Sequence, residues 1–115
     1  MAWVFKAVHE EMNRTVALKM IRPEVRDDAK ALERFEYTAK LQARIKHPNI
    51  VFVYDFFKEE FSGATRHFLI EEFVDGSSLD DLIRKKNISA EKALQICREV
   101  LIGLEAAHKQ GVVHR

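Results

Sequence analysis

The sequence predicts an α+β fold, in which an antiparallel sheet of about four strands carries one amphipathic helix and is followed by two further helices. Three observations support this prediction: two pairs of β-rich segments, a helical spacing of apolar residues between the pairs, and helical patterning after the second pair. With 115 residues and 47% hydrophobic content, the chain has the composition of one globular domain.

The first half of the chain contains a hairpin and then a helix. The segments "AWVFKAV" and "RTVALKMI" have strand composition and are separated by the polar turn "HEEMNR". From Asp28 to about Ile45 the apolar positions follow the spacing of an amphipathic helix, as Leu32, Phe35 and Ala39 illustrate. Pro48, in "KHPN", then prevents the helix from continuing.

A second strand pair and two helices complete the prediction. "IVFVYDFF" and "RHFLIEEFV" are predicted strands, and "KEEFSGAT" is the predicted loop between them. Ser77 or Ser78 is expected to cap a short helix, "LDDLIRKK". Ser89 is expected to cap a longer helix that ends at Lys109, shortly before Gly111.

The long helix is apolar around most of its circumference, so it is expected to be covered on nearly all sides. The preceding strands and helix can cover only one side. The sequence therefore predicts that a further layer belongs after residue 115 and that the chain is cut. The apolar positions are Leu94, Ile96, Cys97, Val100, Leu101, Ile102 and Leu104.

Composition excludes several classes of partner. A net charge of +1 is too small to attract nucleic acid or an anionic membrane, and the longest apolar runs are far below the roughly 20 residues of a membrane span. A cytoplasmic location is therefore predicted. The single cysteine, Cys97, excludes an internal disulfide and a cysteine metal cluster, and is expected to be a small core residue.

Five segments in order, "VFKAV", "VALKMI", "HPNIV", "FLIEEFVDGSSL" and "AAHKQGVVHR", resemble the amino-terminal lobe of eukaryotic-like serine/threonine protein kinases, in the style of the bacterial members. The resemblance implies that residues 1–74 are a partial N-lobe, without the first strand and most of the glycine-rich loop. Residues 75–115 would be the hinge exit and the first helices of a truncated C-lobe. It also implies ATP and Mg²⁺ as cofactors and a protein as substrate.

The same resemblance assigns the site residues. Lys19 would contact the α and β phosphates, although a lone strand lysine could also be an ordinary solvated side chain. Val4 and Ala17 would cover the adenine ring, and the backbone of Glu72 and Val74 would form the hinge contacts.

Ser78 occupies a position that often contacts the ribose, and helix capping explains it equally well. His114 and Arg115 resemble the start of the catalytic loop, whose next residue would be the aspartate that accepts the substrate hydroxyl proton. The magnesium ligands would also lie after residue 115, so no metal ligand is assigned within the chain.

Two features depart from the family pattern, and the first is the inner face of the amphipathic helix. Thr38 stands where active kinases carry the helix glutamate that orients the strand lysine, and Glu36 is turned away from that direction by roughly 160°. Gln42, one turn further, replaces an aliphatic residue.

Glu71 is the second departure, because it places a carboxylate directly before the hinge, on a strand face that points into the nucleotide pocket. An unpaired charge there would be costly. We therefore predict that Glu71 replaces the helix glutamate as the partner of Lys19. The alternative is that Glu71 turns toward solvent or binds another cation.

Three functions are compatible with the sequence: a fragment of an active ATP-dependent kinase, a pseudokinase lobe that binds nucleotide or a protein without transferring phosphate, and a non-enzymatic interaction domain with similar patterning. The flanking sequence discriminates between them. An aspartate directly after Arg115 and a later "DFG" favour the active kinase, a different residue at either place favours the pseudokinase, and the absence of any further lobe favours the interaction domain.

Overall fold

A computed structural model of the chain describes residues 2–22, 24 and 28–113. Within these residues the structure has an antiparallel four-stranded sheet and three helices, which confirms the predicted α+β fold. The elements are β1 (Ala2–His9), β2 (Arg14–Ile21), α1 (Ala29–Gln42), β3 (Val53–Phe61), β4 (Ala64–Glu72), α2 (Leu79–Arg84) and α3 (Ala90–Lys109).

The sheet has the strand order β1-β2-β4-β3, and all neighbouring strands are antiparallel. Strands β2 and β4 are therefore the two central strands, although α1 and β3 separate them in the chain. In their register Ala17 lies opposite Glu71 and Lys19 lies opposite Leu69. Residues that lie opposite each other share a face of the sheet, so these four side chains are on one face.

The second hairpin is tighter than the sequence predicts. The segment 58–65, expected to be a loop, is mostly strand, and pairing continues to Phe61 opposite Ala64. The turn consists of Ser62 and Gly63, whose φ angles are 52° and 73°. Two consecutive residues with positive φ form a turn whose twist matches that of the strands, so pairing can extend to the turn itself.

The start of β3 also differs from the prediction. The strand begins at Val53, whereas strand structure was expected from Ile50. Ile50 instead forms an isolated bridge with His47, closed by a hydrogen bond from its N–H to the His47 carbonyl at 3.0 Å. The turn formed by "HPNI" therefore includes Ile50, the first residue of the predicted strand.

The core lies between α1 and one face of the sheet. Ala39 of α1 packs with Val53 and Leu69, and the rings of Phe35 and Phe56 border this cluster. The helix begins after Asp28, whose carboxylate accepts hydrogen bonds from two backbone N–H groups of the first turn. It ends at Gln42, three residues before the expected end.

The chain after β4 is helical, as predicted. Ser78 caps α2 and Ser89 caps α3, each by accepting a backbone N–H. Gly103 is the buried residue of α3. Cys97 is exposed, so its assignment as a core residue is wrong: its side of α3 faces no other part of the chain that the structure describes. Among these residues, no helix has the length and apolar content that crossing a membrane requires.

Candidate functional site

The geometry of the site begins with an ion pair on the central strands. The Nζ atom of Lys19 lies 2.6 Å from Oε2 of Glu71, which confirms the predicted pairing of these two residues. Their register explains the contact, because Glu71 lies opposite Ala17, two residues from Lys19. Such diagonal neighbours on one face are within reach of long side chains.

The two members of this pair differ in exposure. The side chain of Glu71 is 6% exposed and that of Lys19 is 34% exposed. A buried carboxylate without a cation would be strongly destabilising, which explains why Glu71 faces Lys19 and not the solvent. The Lys19 side chain is thus the more accessible member of the pair.

The residues expected to cover the adenine ring lie on the same face. Val4 is opposite Lys19 in the β1–β2 register, and Ala17 is two residues from Lys19 on β2. Val4 is exposed and Ala17 is half-buried. The structure therefore brings an apolar surface and the Lys19 ammonium group together on one side of the sheet.

The expected hinge follows β4 directly. Glu72 is the last residue of that strand, and its N–H donates to the carbonyl of Phe52 at 2.8 Å. Its carboxylate accepts a hydrogen bond from the N–H of Phe52 at 3.3 Å, so the Glu72 side chain lies against the segment just before β3. Val74, outside the strand, is exposed. Strand β4 thus ends at residue 72, directly after Glu71, which lies opposite Ala17 on β2.

Ser78 has a clear local role. Its hydroxyl oxygen accepts the N–H of Asp81 at 3.1 Å and its hydroxyl group donates to the Asp81 carboxylate at 2.7 Å. Helix capping therefore accounts for this serine, and the ribose contact stays a prediction. His114 and Arg115 lie outside the residues that the structure describes.

Helix α1 uses a different acidic residue to contact the sheet. Glu36 lies 2.7 Å from Nζ of Lys58 and 3.6 Å from Nε2 of His67. Thr38 is exposed. Gln42 donates from Nε2 to the carbonyl of Val51 at 3.0 Å, which gives its polar group a partner. These contacts agree with the prediction that Glu36 does not take the place of the helix glutamate.

His67 is the residue that the sequence analysis missed. It lies opposite Lys58 in the β3–β4 register, stacks on the ring of Phe56, and is 4% exposed. Burial, together with the Lys58 ammonium group, lowers the pKa of His67, while Glu36 acts in the opposite direction. Alternation along β4 could have revealed it, because His67, Leu69 and Glu71 share one face.

The described residues provide no obvious magnesium site. Among residues 2–22, 24 and 28–113, no three His, Cys, Asp or Glu side chains are grouped so that they could hold a metal ion. The pair of Lys19 and Glu71 contains a single carboxylate, and this carboxylate is already paired with the Lys19 ammonium group.

The sequence of the chain is similar to those of known protein kinases. The model of the protein kinase domain family matches residues 1–115. The chain is 36% identical over 120 residues to the serine/threonine-protein kinase PksC of Streptomyces coelicolor, and the match covers 100% of this chain and 22% of that protein. It is 33% identical over 116 residues to the probable serine/threonine-protein kinase CPE1738 of Clostridium perfringens, with 100% and 16% covered.

A third relative, the serine/threonine-protein kinase PknA of Mycobacterium tuberculosis, is 32% identical over 117 residues, with 100% of this chain and 27% of that protein covered. The chain thus spans between 16% and 27% of the length of these three relatives. The family model matches the whole chain, and the four-stranded antiparallel sheet is consistent with it. The chain therefore belongs to the protein kinase domain family.

Proposed function

We propose that this chain is the ATP-binding part of a serine/threonine protein kinase, an enzyme that moves the γ-phosphoryl group of ATP to a protein hydroxyl group. The observation that carries the proposal is the placement of Lys19, whose partly exposed side chain is paired with Glu71 and lies on the same sheet face as Val4 and Ala17. Phosphoryl transfer depends mainly on positioning and charge neutralisation, and a lysine on a rigid strand supplies both.

Each part of ATP has a candidate partner in this arrangement. Val4 and Ala17 would contact the adenine ring, and the carbonyl of Glu72 with the backbone of Val74 would recognise its edge. Lys19 would contact the α and β phosphates, while Glu71 would hold the lysine from the covered side. Ser78 would lie near the ribose.

Magnesium is not assigned to the described residues, since they hold no suitable group of ligands. His114 and Arg115 are assigned to the start of the catalytic loop by their motif alone. The protein substrate, and the residues that would bind it, are not identified by this chain.

Binding measurements test the proposal. In the full-length gene product, ATP is expected to bind more tightly than adenosine, because only ATP presents phosphates to Lys19. Lys19→Met should weaken ATP binding about tenfold or more, the usual effect of losing a hydrogen bond to a charged group, and leave adenosine within about twofold. Lys92→Met, on the exposed face of α3, is the matched control. Equal affinity for ATP and adenosine in the unaltered protein would refute the role of Lys19.

A second candidate function is a pseudokinase that binds nucleotide without transferring phosphate. The observation that favours it is Thr38, which carries no charge at the position of the helix glutamate and is exposed. Phosphate incorporation from γ-labelled ATP separates the two functions. An active kinase incorporates phosphate in a reaction abolished by Lys19→Met, whereas a pseudokinase binds ATP with no incorporation. A domain that shares only strand and helix patterning would not match the kinase family along its whole length.

A further inference from the structure

The partner of the nucleotide-facing lysine belongs to the sheet and not to the helix. Lys19 is on β2 and Glu71 is on β4, which are hydrogen-bonded neighbours. Protein kinases in general orient this lysine with a glutamate from the helix, so the position of the helix decides whether the pair can form. In this chain the positions of Lys19 and Glu71 are both fixed by the backbone hydrogen bonds between β2 and β4.

Helix α1 takes part in a separate cluster. Glu36 reaches Lys58 at 2.7 Å and His67 at 3.6 Å, and these two residues lie opposite each other on β3 and β4. His67 is four residues from Glu71 along β4, which corresponds to about 13 Å. Glu36 therefore contacts the sheet well away from Lys19.

We propose that Glu71 is the positioning residue for Lys19 and that this pair forms independently of where α1 lies. The positioning role rests on the proposed function of Lys19 in binding ATP. Glu36, with Lys58 and His67, holds α1 on the sheet as a distinct contact.

The exposure of the two side chains supports this role. Glu71 is covered by its neighbours, and its two cross-strand partners, Ala17 and Val53, are uncharged. Its carboxylate is therefore held toward Lys19 by the cost of leaving a charge unpaired. The Lys19 side chain is more exposed than that of Glu71, as expected for a lysine that a buried carboxylate positions for an anion.

Competitive acetylation of lysines tests the independence of the two contacts. The full-length gene product is treated with trace acetic anhydride, and the acetylated fraction at Lys19 and Lys58 is read by peptide mass spectrometry, with Lys92 as an internal reference. An ammonium group that is held by a carboxylate reacts more slowly than a free one. Glu71→Gln should increase acetylation of Lys19 about threefold or more and leave Lys58 unchanged, whereas Glu36→Gln should do the reverse.

The result is unambiguous in each direction. If Glu36→Gln increases acetylation of Lys19, or Glu71→Gln leaves it unchanged, the proposed arrangement is wrong. A variant that unfolds would increase acetylation at both lysines, and circular dichroism identifies it. The variant Glu71→Asp then serves in its place, since its shorter carboxylate should give partial exposure of Lys19 alone.

Addition of ATP separates this inference from the proposed function. ATP that binds at Lys19 should protect it from acetylation, and adenosine should not. Absence of protection in the unaltered protein would contradict the ATP site. The reciprocal effects of Glu71→Gln and Glu36→Gln would still establish the two independent contacts, and their failure despite ATP protection would refute only the positioning by Glu71.

Discussion

Glu71 and Glu36 are both carboxylates on the α1 side of the sheet, yet they have different partners because strand register and helix phase place them apart. Glu71 shares a face with Lys19, two residues along the neighbouring strand. Glu36 faces the hairpin of β3 and β4, where it forms an ion pair with Lys58. A change at either residue is therefore expected to affect a different property of the protein.

The first prediction concerns activity. In the full-length gene product, Glu71→Gln should lower kcat for ATP-dependent phosphorylation about 10- to 100-fold, the usual cost of misplacing a catalytic group by about 1 Å. KM for ATP should change much less, because the effect is on alignment in the transition state. Steady-state kinetics measure both constants.

Glu36→Gln is the matched control for this prediction. It removes the same charge from the same side of the sheet and should leave kcat within about twofold, since Glu36 contacts Lys58 and His67. Equal losses in the two variants would instead indicate a different register of α1, in which Glu36 approaches Lys19.

The second prediction concerns pH. Burial, with the Lys58 ammonium group, lowers the pKa of His67 from 6.5, so the folded protein favours neutral imidazole. Below pH 6.5 the unfolded chain binds a proton that folded His67 does not yet bind, and stability falls as the pH decreases toward the lowered pKa. Well above pH 6.5 both states are neutral and His67 contributes no slope.

Denaturant unfolding at several pH values between 5 and 8 measures this effect. The contribution of His67 to the slope cannot exceed about 1.4 kcal/mol per pH unit, the limit for one proton. His67→Gln should remove that contribution, because glutamine does not titrate in this range. An unchanged slope in His67→Gln would show that other groups cause the pH dependence.

At the scale of elements, α3 approaches the turn that contains Asn49 through a small residue, Gly103. A methyl group added at Gly103 would lie 3.0 Å from the backbone carbonyl oxygen of Asn49 and 3.3 Å from its Cβ. The turn that contains Asn49 is closed by the hydrogen bond from Ile50 to His47. Glycine thus permits α3 to pack directly on this turn.

The third prediction follows from this contact. Gly103→Ala should destabilise the protein, because the Asn49 carbonyl is part of the backbone and cannot rotate away, and overpacking costs about 1–3 kcal/mol. The gain in helix propensity, about 1 kcal/mol, opposes this cost. Thermal unfolding gives the net effect. Gly76→Ala, where an added methyl group meets nothing within 4 Å, is the control. A higher melting temperature for Gly103→Ala would argue against close packing at Asn49.

The elements differ in how well the sequence predicts them. Helix starts were predictable, since Asp28, Ser78 and Ser89 act as caps through local hydrogen bonds. The second strand pair was predicted, but its two-residue turn was not, because the two positive φ angles at Ser62 and Gly63 are not evident from the polar composition of that segment. The start of β3 was also displaced, since a turn and a strand compete for the same apolar residues at Ile50.

At the scale of the whole molecule, one face of α3 is apolar and exposed. Leu94 is 73% exposed and Leu101 is 64% exposed, and Val100 also lies at the surface. Exposed apolar surface of this kind usually mediates association. The fourth prediction is that the 115-residue chain, purified alone, self-associates, as sedimentation velocity can measure.

The paired substitution Leu94→Lys and Leu101→Lys should shift the sedimentation profile toward the monomer without loss of helical circular dichroism. Replacing two exposed lysines of the same helix, Lys92 and Lys109, with glutamine provides the matched control and should not produce a monomer. A monodisperse, cooperatively unfolding monomer of the unaltered chain would contradict this prediction.

The fifth prediction is that the purified 115-residue chain transfers no measurable phosphate. The resemblance places the catalytic base and the magnesium ligands after Arg115, and no suitable group of metal ligands occurs among the described residues. Incorporation from γ-labelled ATP provides the measurement. Turnover that Lys19→Met abolishes would overturn this prediction.

The site was partly predictable for a physical reason. Lys19 and Glu71 could be paired in advance because strand alternation fixes the face of each, and an unpaired buried charge requires a partner. The cluster of Glu36, Lys58 and His67 could not, since it depends on the phase of α1 and on a strand register set by the turn at Ser62 and Gly63. The exposure of Cys97 likewise depends on how little of α3 the described chain covers.

The buried carboxylate of Glu71 also has a consequence for inhibitor selectivity. Compounds that extend behind a nucleotide pocket usually gain affinity from apolar groups, whereas here such a group would meet a carboxylate that is 6% exposed. Displacing its lysine with an apolar group leaves a buried charge unpaired, at a cost of several kcal/mol. We therefore expect an inhibitor with an amine at that position to bind more tightly than its methyl analogue, and calorimetry should show the preference lost in Glu71→Gln. Tighter binding of the methyl compound to the unaltered protein would contradict this expectation. A selective inhibitor of this protein would thus contain a positively charged group that pairs with the Glu71 carboxylate.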